Sequence, residues 1–104
     1  MAGTIIIGAN NLMDVNTRTF DLLVERIRPH LDADAPDVLS KAYWAMDEGA
    51  MTYISLKELS DAQFQQFVRA AKLAQEAYRS NSTGAYSTAW VELIDRLQLD
   101  PRGA

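Results

Sequence analysis

Ser60-Asp61-Ala62-Gln63 opens the segment that most limits what this chain can fold into. A serine followed three positions later by a glutamine is a capping box, in which each side chain satisfies the other residue's free backbone amide at a helix start. The helix that follows is predicted to run to about Arg79. At roughly 100° per residue, Phe64, Phe67, Val68, Ala71 and Tyr78 form one side, and Ala70, Ala74 and Ala77 continue the arc toward Leu73. Arg69, Lys72, Glu76 and Arg79 fill the narrow remaining strip. A surface helix needs an apolar stripe of only about 100°, so the wider arc predicts a central helix with neighbours on two sides.

Three further helices are predicted around it. The first starts at Asn16 or Thr17, either of which can cap free amides, and carries Phe20, Leu23, Val24 and Ile27 on one stripe. Pro29 is expected to end or kink it. The second runs from about Pro36 to Glu48, with Asp34 as its cap, Pro36 in the tolerant first turn and Gly49 as its stop. Ser80 to Gly84 reads as a loop, after which Tyr86, Trp90, Leu93, Ile94 and Leu97 share one face of a last helix ended by Asp100-Pro101. Met51-Thr-Tyr-Ile-Ser-Leu56 alternates β-branched and aromatic residues as a short strand would, and Ile5, Ile6 and Ile7 are its natural pairing partner. The expected fold is mainly α: a single domain over residues 1–104, a bundle of about four helices. A short two-stranded β-ribbon near residues 4–7 and 51–56 would be marginal alone and would need helices behind it.

Composition sets the function classes. At 48% hydrophobic and 23% charged, the chain has the makeup of a soluble globular domain. The absence of cysteine excludes disulfides, thiolate nucleophiles and cysteine-ligated zinc. The first residues carry no basic leader and only three consecutive isoleucines, and no stretch approaches the roughly 20 apolar residues of a membrane span, so a cytoplasmic location is expected. The net charge of −4 lies in the first half: residues 1–50 hold eight Asp and Glu against four Lys and Arg, whereas residues 51–104 hold six against six. Without a basic stripe, nucleic acid is a poor direct ligand, and a basic protein is the better partner.

Catalytic and metal-binding patterns do not emerge. His30 is the single imidazole, and a phosphotransfer role is disfavoured by Pro29 before it and Leu31-Asp-Ala-Asp34 after it. Asp32, Asp34 and Asp37 cluster in sequence, but an EF-hand beginning at Asp32 would need Gly at its sixth position and Glu at its twelfth, where Asp37 and Tyr43 stand. Helix capping and placement at a positive helix terminus account for these acids. Asp37-Val-Leu-Ser40 lacks the order of a phosphopantetheine attachment motif, and Gly3 and Gly8 form no phosphate-binding loop. Asp47 and Glu48 diverge by roughly 100° on a helix and make a poor acid–base pair. No catalytic, cofactor or metal residue is assigned.

One residue breaks the helical pattern. Val38, Ala42, Ala45 and Met46 gather on one stripe of the second helix, and Trp44 projects from the other side among Asp37, Ser40, Lys41, Asp47 and Glu48. A large apolar ring in an acidic surround needs a cover. Within the chain that cover would be the isoleucine segment or the Tyr53 region; from outside it would be another protein, with a second copy of this chain as a further candidate. Trp44, Asp37, Asp47 and Glu48 are therefore the candidate partner-binding residues of an acidic interaction domain of the inhibitor, immunity or adaptor type. The competing reading is a small-ligand or catalytic domain whose pocket is lined by carboxylates and by Tyr43, Tyr53, Tyr78 or Tyr86.

Overall fold

The structure is a computed structural model that describes residues 2–8, 10–80 and 87–103. Strands β1 (Ala2–Gly8) and β2 (Asn11–Asn16) lead into helices α1 (Thr17–Asp34) and α2 (Pro36–Gly49). Strand β3 (Tyr53–Ser55), helix α3 (Asp61–Ser80), helix α4 (Ser87–Leu99) and a 3₁₀ turn over Pro101–Gly103 complete the order. Among the described residues, no helix is long and apolar enough to cross a membrane.

The mainly helical expectation holds, but the ribbon is a three-stranded mixed sheet in the order β2-β1-β3. The anticipated pairing is present and parallel, with Ile5 opposite Ile54. The unanticipated strand is β2, antiparallel to β1, with Ile5 opposite Met13 and Thr4 opposite Asp14. Side chains alternate across the sheet, so Ile5, Ile7, Met13 and Ile54 enter the core. On the other face the Thr4 hydroxyl donates to Asp14 Oδ1 at 2.7 Å. Gly3 lets β1 approach α1 closely, because a Cβ at that position would sit 2.2 Å from Phe20 Cγ.

The helices bury the predicted stripes: Phe20, Leu23, Val24 and Ile27 from α1; Val38, Ala42 and Ala45 from α2; Trp90, Leu93, Ile94 and Leu97 from α4. All of these except Ala45 join Phe64, Phe67, Ala71 and Ala74 of α3 in one cluster. Asn16 caps α1 by accepting from the Thr19 amide at 2.8 Å. At α3 the capping box is complete: the Ser60 amide donates to Gln63 Oε1 at 3.0 Å, and the Gln63 amide donates to Ser60 Oγ at 3.2 Å.

Local expectations fail at four places. Pro29 does not end α1, which continues to Asp34; the ring is exposed, so the lost amide bond falls on the side that water can reach. Asp34 is consequently the last residue of α1 and not the cap of α2, whose N-cap is Ala35 without a side-chain bond. Asp34 instead faces Arg69 of α3 at 3.7 Å. At the other end of α2, Gly49 stays helical and Ala50 takes the left-handed position at φ 52°. On α3, Leu73 and Ala77 are exposed, which narrows the predicted arc. The loop from Ser80 to Gly84, beyond Ser80 itself, and Tyr86 lie outside the described residues.

Candidate protein-binding surface

Helix α2 has two chemically opposed faces. Pro36 occupies its first turn, and Val38, Ala42, Tyr43 and Ala45 turn inward. Positions 37, 41, 44 and 48 recur at helical spacing along the opposite side, so Asp37, Lys41, Trp44 and Glu48 form an outward stripe flanked by Ser40 and Asp47. All six are exposed, and Trp44 keeps 63% of its surface in solvent. The isoleucine segment and the Tyr53 region therefore do not cover it. Beside the indole lies a recess of about 530 Å³, lined by Ser40, Lys41 and Trp44 from α2 and by Glu58 from the loop between β3 and α3.

A polar network fixes this surface. Lys41 Nζ donates to Gln63 Oε1 at 3.1 Å and reaches the Glu58 carbonyl at 3.5 Å. Gln63 Nε2 donates to Asp37 Oδ2 at 3.2 Å. The glutamine that closes the α3 capping box thus also ties α3 to the outward stripe of α2. At the far end Arg28 of α1 grips both oxygens of Asp47, at 2.9 and 3.1 Å, and its guanidinium lies 4.8 Å from the centre of the Tyr43 ring. That fork is charge-assisted and holds the Asp47 carboxyl below its usual range, against a smaller opposing effect of burial. Burial pushes the Tyr43 phenol far up, and its hydroxyl donates to the Val24 carbonyl at 2.7 Å.

The four predicted residues accordingly share one surface in different electrostatic states. Asp47 is paired with Arg28 and Asp37 accepts from Gln63, whereas neither the Glu48 nor the Glu58 carboxylate has an ion-pair partner among the described residues. Glu58 was not foreseen, since nothing in the text before Ser60 indicates that the loop folds back against α2. Asp32 and Asp37 are exposed separately from the Asp34–Arg69 pair, and His30 is half-buried on α1. Tyr43 and Tyr78 are packing residues of the core, the latter 6.1 Å from Trp90 between ring centres.

A second polar cluster sits at the chain end. Arg102 donates from Nη1 to the Leu56 and Leu59 carbonyls at 2.8 and 2.9 Å, and from Nη2 to the Ile7 carbonyl at 2.8 Å. Its Nε and Nη2 also bind the two oxygens of Asp100, at 2.9 and 3.0 Å, and the guanidinium lies 4.3 Å from the centre of the Phe64 ring. Every N–H of the guanidinium is used, so this is a structural clip joining β1, the β3–α3 loop and the chain end.

No protein-family model matches the chain. A curated relative, the immunity protein CdiI of Burkholderia pseudomallei, is 30% identical over 103 residues, covering 98% of this chain and 94% of that protein. A chain of the solved structure of the CdiA-CT toxin from Burkholderia pseudomallei E479 in complex with its cognate CdiI immunity protein superimposes with a TM-score of 0.91. The two are 28% identical, and the likeness covers 99% of this chain and 100% of that one. The acidic, outward-facing surface thus belongs to a chain that is similar over nearly its whole length to a protein made to bind another protein: it is a member of the CdiI immunity-protein family.

Proposed function

We propose that this immunity domain silences a toxin protein by binding it directly, with the outward stripe of α2 as the contact and Trp44 as its anchor. The observation that carries the reading is the 63% exposure of Trp44 within an acidic stripe, in a chain of the CdiI family. The relative of known structure is in complex with a CdiA-CT toxin, and a toxin domain of that kind is the partner proposed here. Tryptophan is enriched among residues that dominate binding energy, because its large rigid ring excludes water at low entropic cost. Asp37 and Glu48 add a negative rim that speeds encounter with a basic partner surface, with Asp47 beside them as part of the contact though already paired with Arg28. The meeting takes place in the cytoplasm, where a toxin must be silenced to protect the cell that makes the antidote.

The test is Trp44→Ala, titrated against the cognate toxin domain by calorimetry. A loss of affinity of at least about 30-fold is expected, the scale of a hot-spot truncation, with no change in melting temperature. Equal affinity in variant and wild type overturns the reading.

A further inference from the structure

The recess beside Trp44 has a chemistry narrower than a generally acidic patch. The recess, of about 530 Å³, is lined by Ser40, Lys41 and Trp44 from α2 and by Glu58 from the β3–α3 loop. Glu48 follows Trp44 by four positions, one helical turn along the same stripe. Neither glutamate is engaged by a cation among the described residues. The nearby Lys41 ammonium is held by two neutral oxygens, Gln63 Oε1 and the Glu58 carbonyl, so it forms no ion pair with either carboxylate. The other acids of the stripe are occupied: Asp47 is neutralised by Arg28, and Asp37 accepts from Gln63.

We infer that this recess is the seat of one arginine side chain of the toxin, stacked on the Trp44 indole and paired with Glu58. The inference rests on the proposed binding role of the α2 stripe and specifies its central contact. The face of an indole attracts cations more strongly than the other aromatic rings do. A guanidinium is planar, so it stacks on the ring while its edge N–H groups bond a carboxylate in a fixed fork, whereas a lysine ammonium is a point charge with no planar face to stack. The Lys41 ammonium in the lining is already held by two oxygens, whereas a purely apolar occupant would leave the Glu58 carboxylate unpaired, and desolvating an unpaired carboxylate opposes binding. The main chain that carries Glu58 is held in place, by Lys41 at the Glu58 carbonyl and by Arg102 at the Leu56 and Leu59 carbonyls.

The experiment titrates the full-length chain with its cognate toxin domain. Glu58→Gln is expected to weaken binding about 5- to 30-fold at low salt and less at high salt, the range of a partly desolvated charge-assisted contact. Trp44→Phe should retain much of the affinity and Trp44→Leu little of it, because leucine keeps apolar area and loses the ring. Substituting the toxin's arginines one at a time by glutamine should reveal one whose effect disappears in the Glu58→Gln background. An unchanged affinity for Glu58→Gln, wild-type affinity for Trp44→Leu, or the absence of any coupled arginine overturns the inference. Those outcomes differ from failure of the underlying reading, in which Trp44→Ala itself binds normally. Melting curves of all variants verify that each is folded.

Discussion

Trp44 and Trp90 sit on helices of similar length and meet opposite fates. Trp90 is fully buried, in ring contact with Tyr78, and its indole N–H has no hydrogen-bond partner among the described residues. Trp44 keeps most of its surface in water beside a polar network that holds Asp37, Lys41 and Asp47. The interior accepts an unsatisfied polar atom to gain apolar area, whereas the outer stripe accepts an uncovered apolar ring among polar and charged groups. A defect of the first kind is paid in stability alone; one of the second kind is removed when another molecule covers the ring.

The sharpest way to break this contrast is truncation of the buried ring. Trp90→Ala is expected to cost about 3–5 kcal/mol, a large fraction of the stability of a domain of this size, read by thermal or urea melting. If Trp90→Ala melts like wild type, α4 is not part of the cooperative core. The same contrast applies to the two arginine forks. Arg102 and Asp100 keep only 17% and 10% of their side-chain surfaces exposed, whereas Arg28 and Asp47 keep 29% and 41%. Arg102→Gln should therefore cost about 3 kcal/mol by stranding Asp100 and several carbonyls, while Arg28→Gln should cost no more than about 1 kcal/mol.

Acid sharpens that second difference. The fork from Arg102 lowers the Asp100 carboxyl below its ordinary value, outweighing the upward push of burial. A carboxyl depressed in the folded state binds fewer protons there than in the unfolded chain, so its stabilisation is complete above about pH 4 and is lost as pH falls through the folded value. Asp100→Asn should flatten the decline of melting temperature over that acid range while lowering the plateau above it. Ala50 gives a smaller effect of opposite sign. It holds φ 52°, a conformation that glycine adopts without a Cβ penalty, so Ala50→Gly should raise stability by about 1 kcal/mol. At the bottom of the scale, Trp44→Ala should change the melting free energy by less than about 0.5 kcal/mol, as expected of an exposed side chain.

What could be read from the sequence was whatever a helix encodes within a turn or two. The Asn16 cap, the Ser60–Gln63 box and the inward stripes all follow from spacing, and so does the outward phase of Trp44. Strand β2 escaped because Leu12 points outward next to inward Met13, so its six residues show no clean alternation of apolar and polar side chains. Pro29 misled because its effect depends on which side of the helix its ring occupies, a tertiary property. The C-terminal stop shifted by one residue because Ala50 tolerates the left-handed turn that Gly49 was expected to make. Arg102 joining Ile7 across 95 positions, and Arg28 joining Asp47 across 19, have no local signature at all. The same limit hid Glu58, whose place beside Trp44 depends on how the β3–α3 loop returns to α2.

The opposed faces of α2 have a consequence for how such a protein can change over generations. Val38, Ala42, Tyr43 and Ala45 hold the helix to the body of the molecule, and Trp44 and Glu48 contribute nothing to that hold. Under the proposed binding role, outward positions can therefore be exchanged singly to follow an altered partner, with little effect on whether the chain folds. Asp37 and Lys41 are less free, because their bonds to Gln63 link them to the start of α3. The stripe thus divides into letters that can be rewritten and letters that are spelled into the fold.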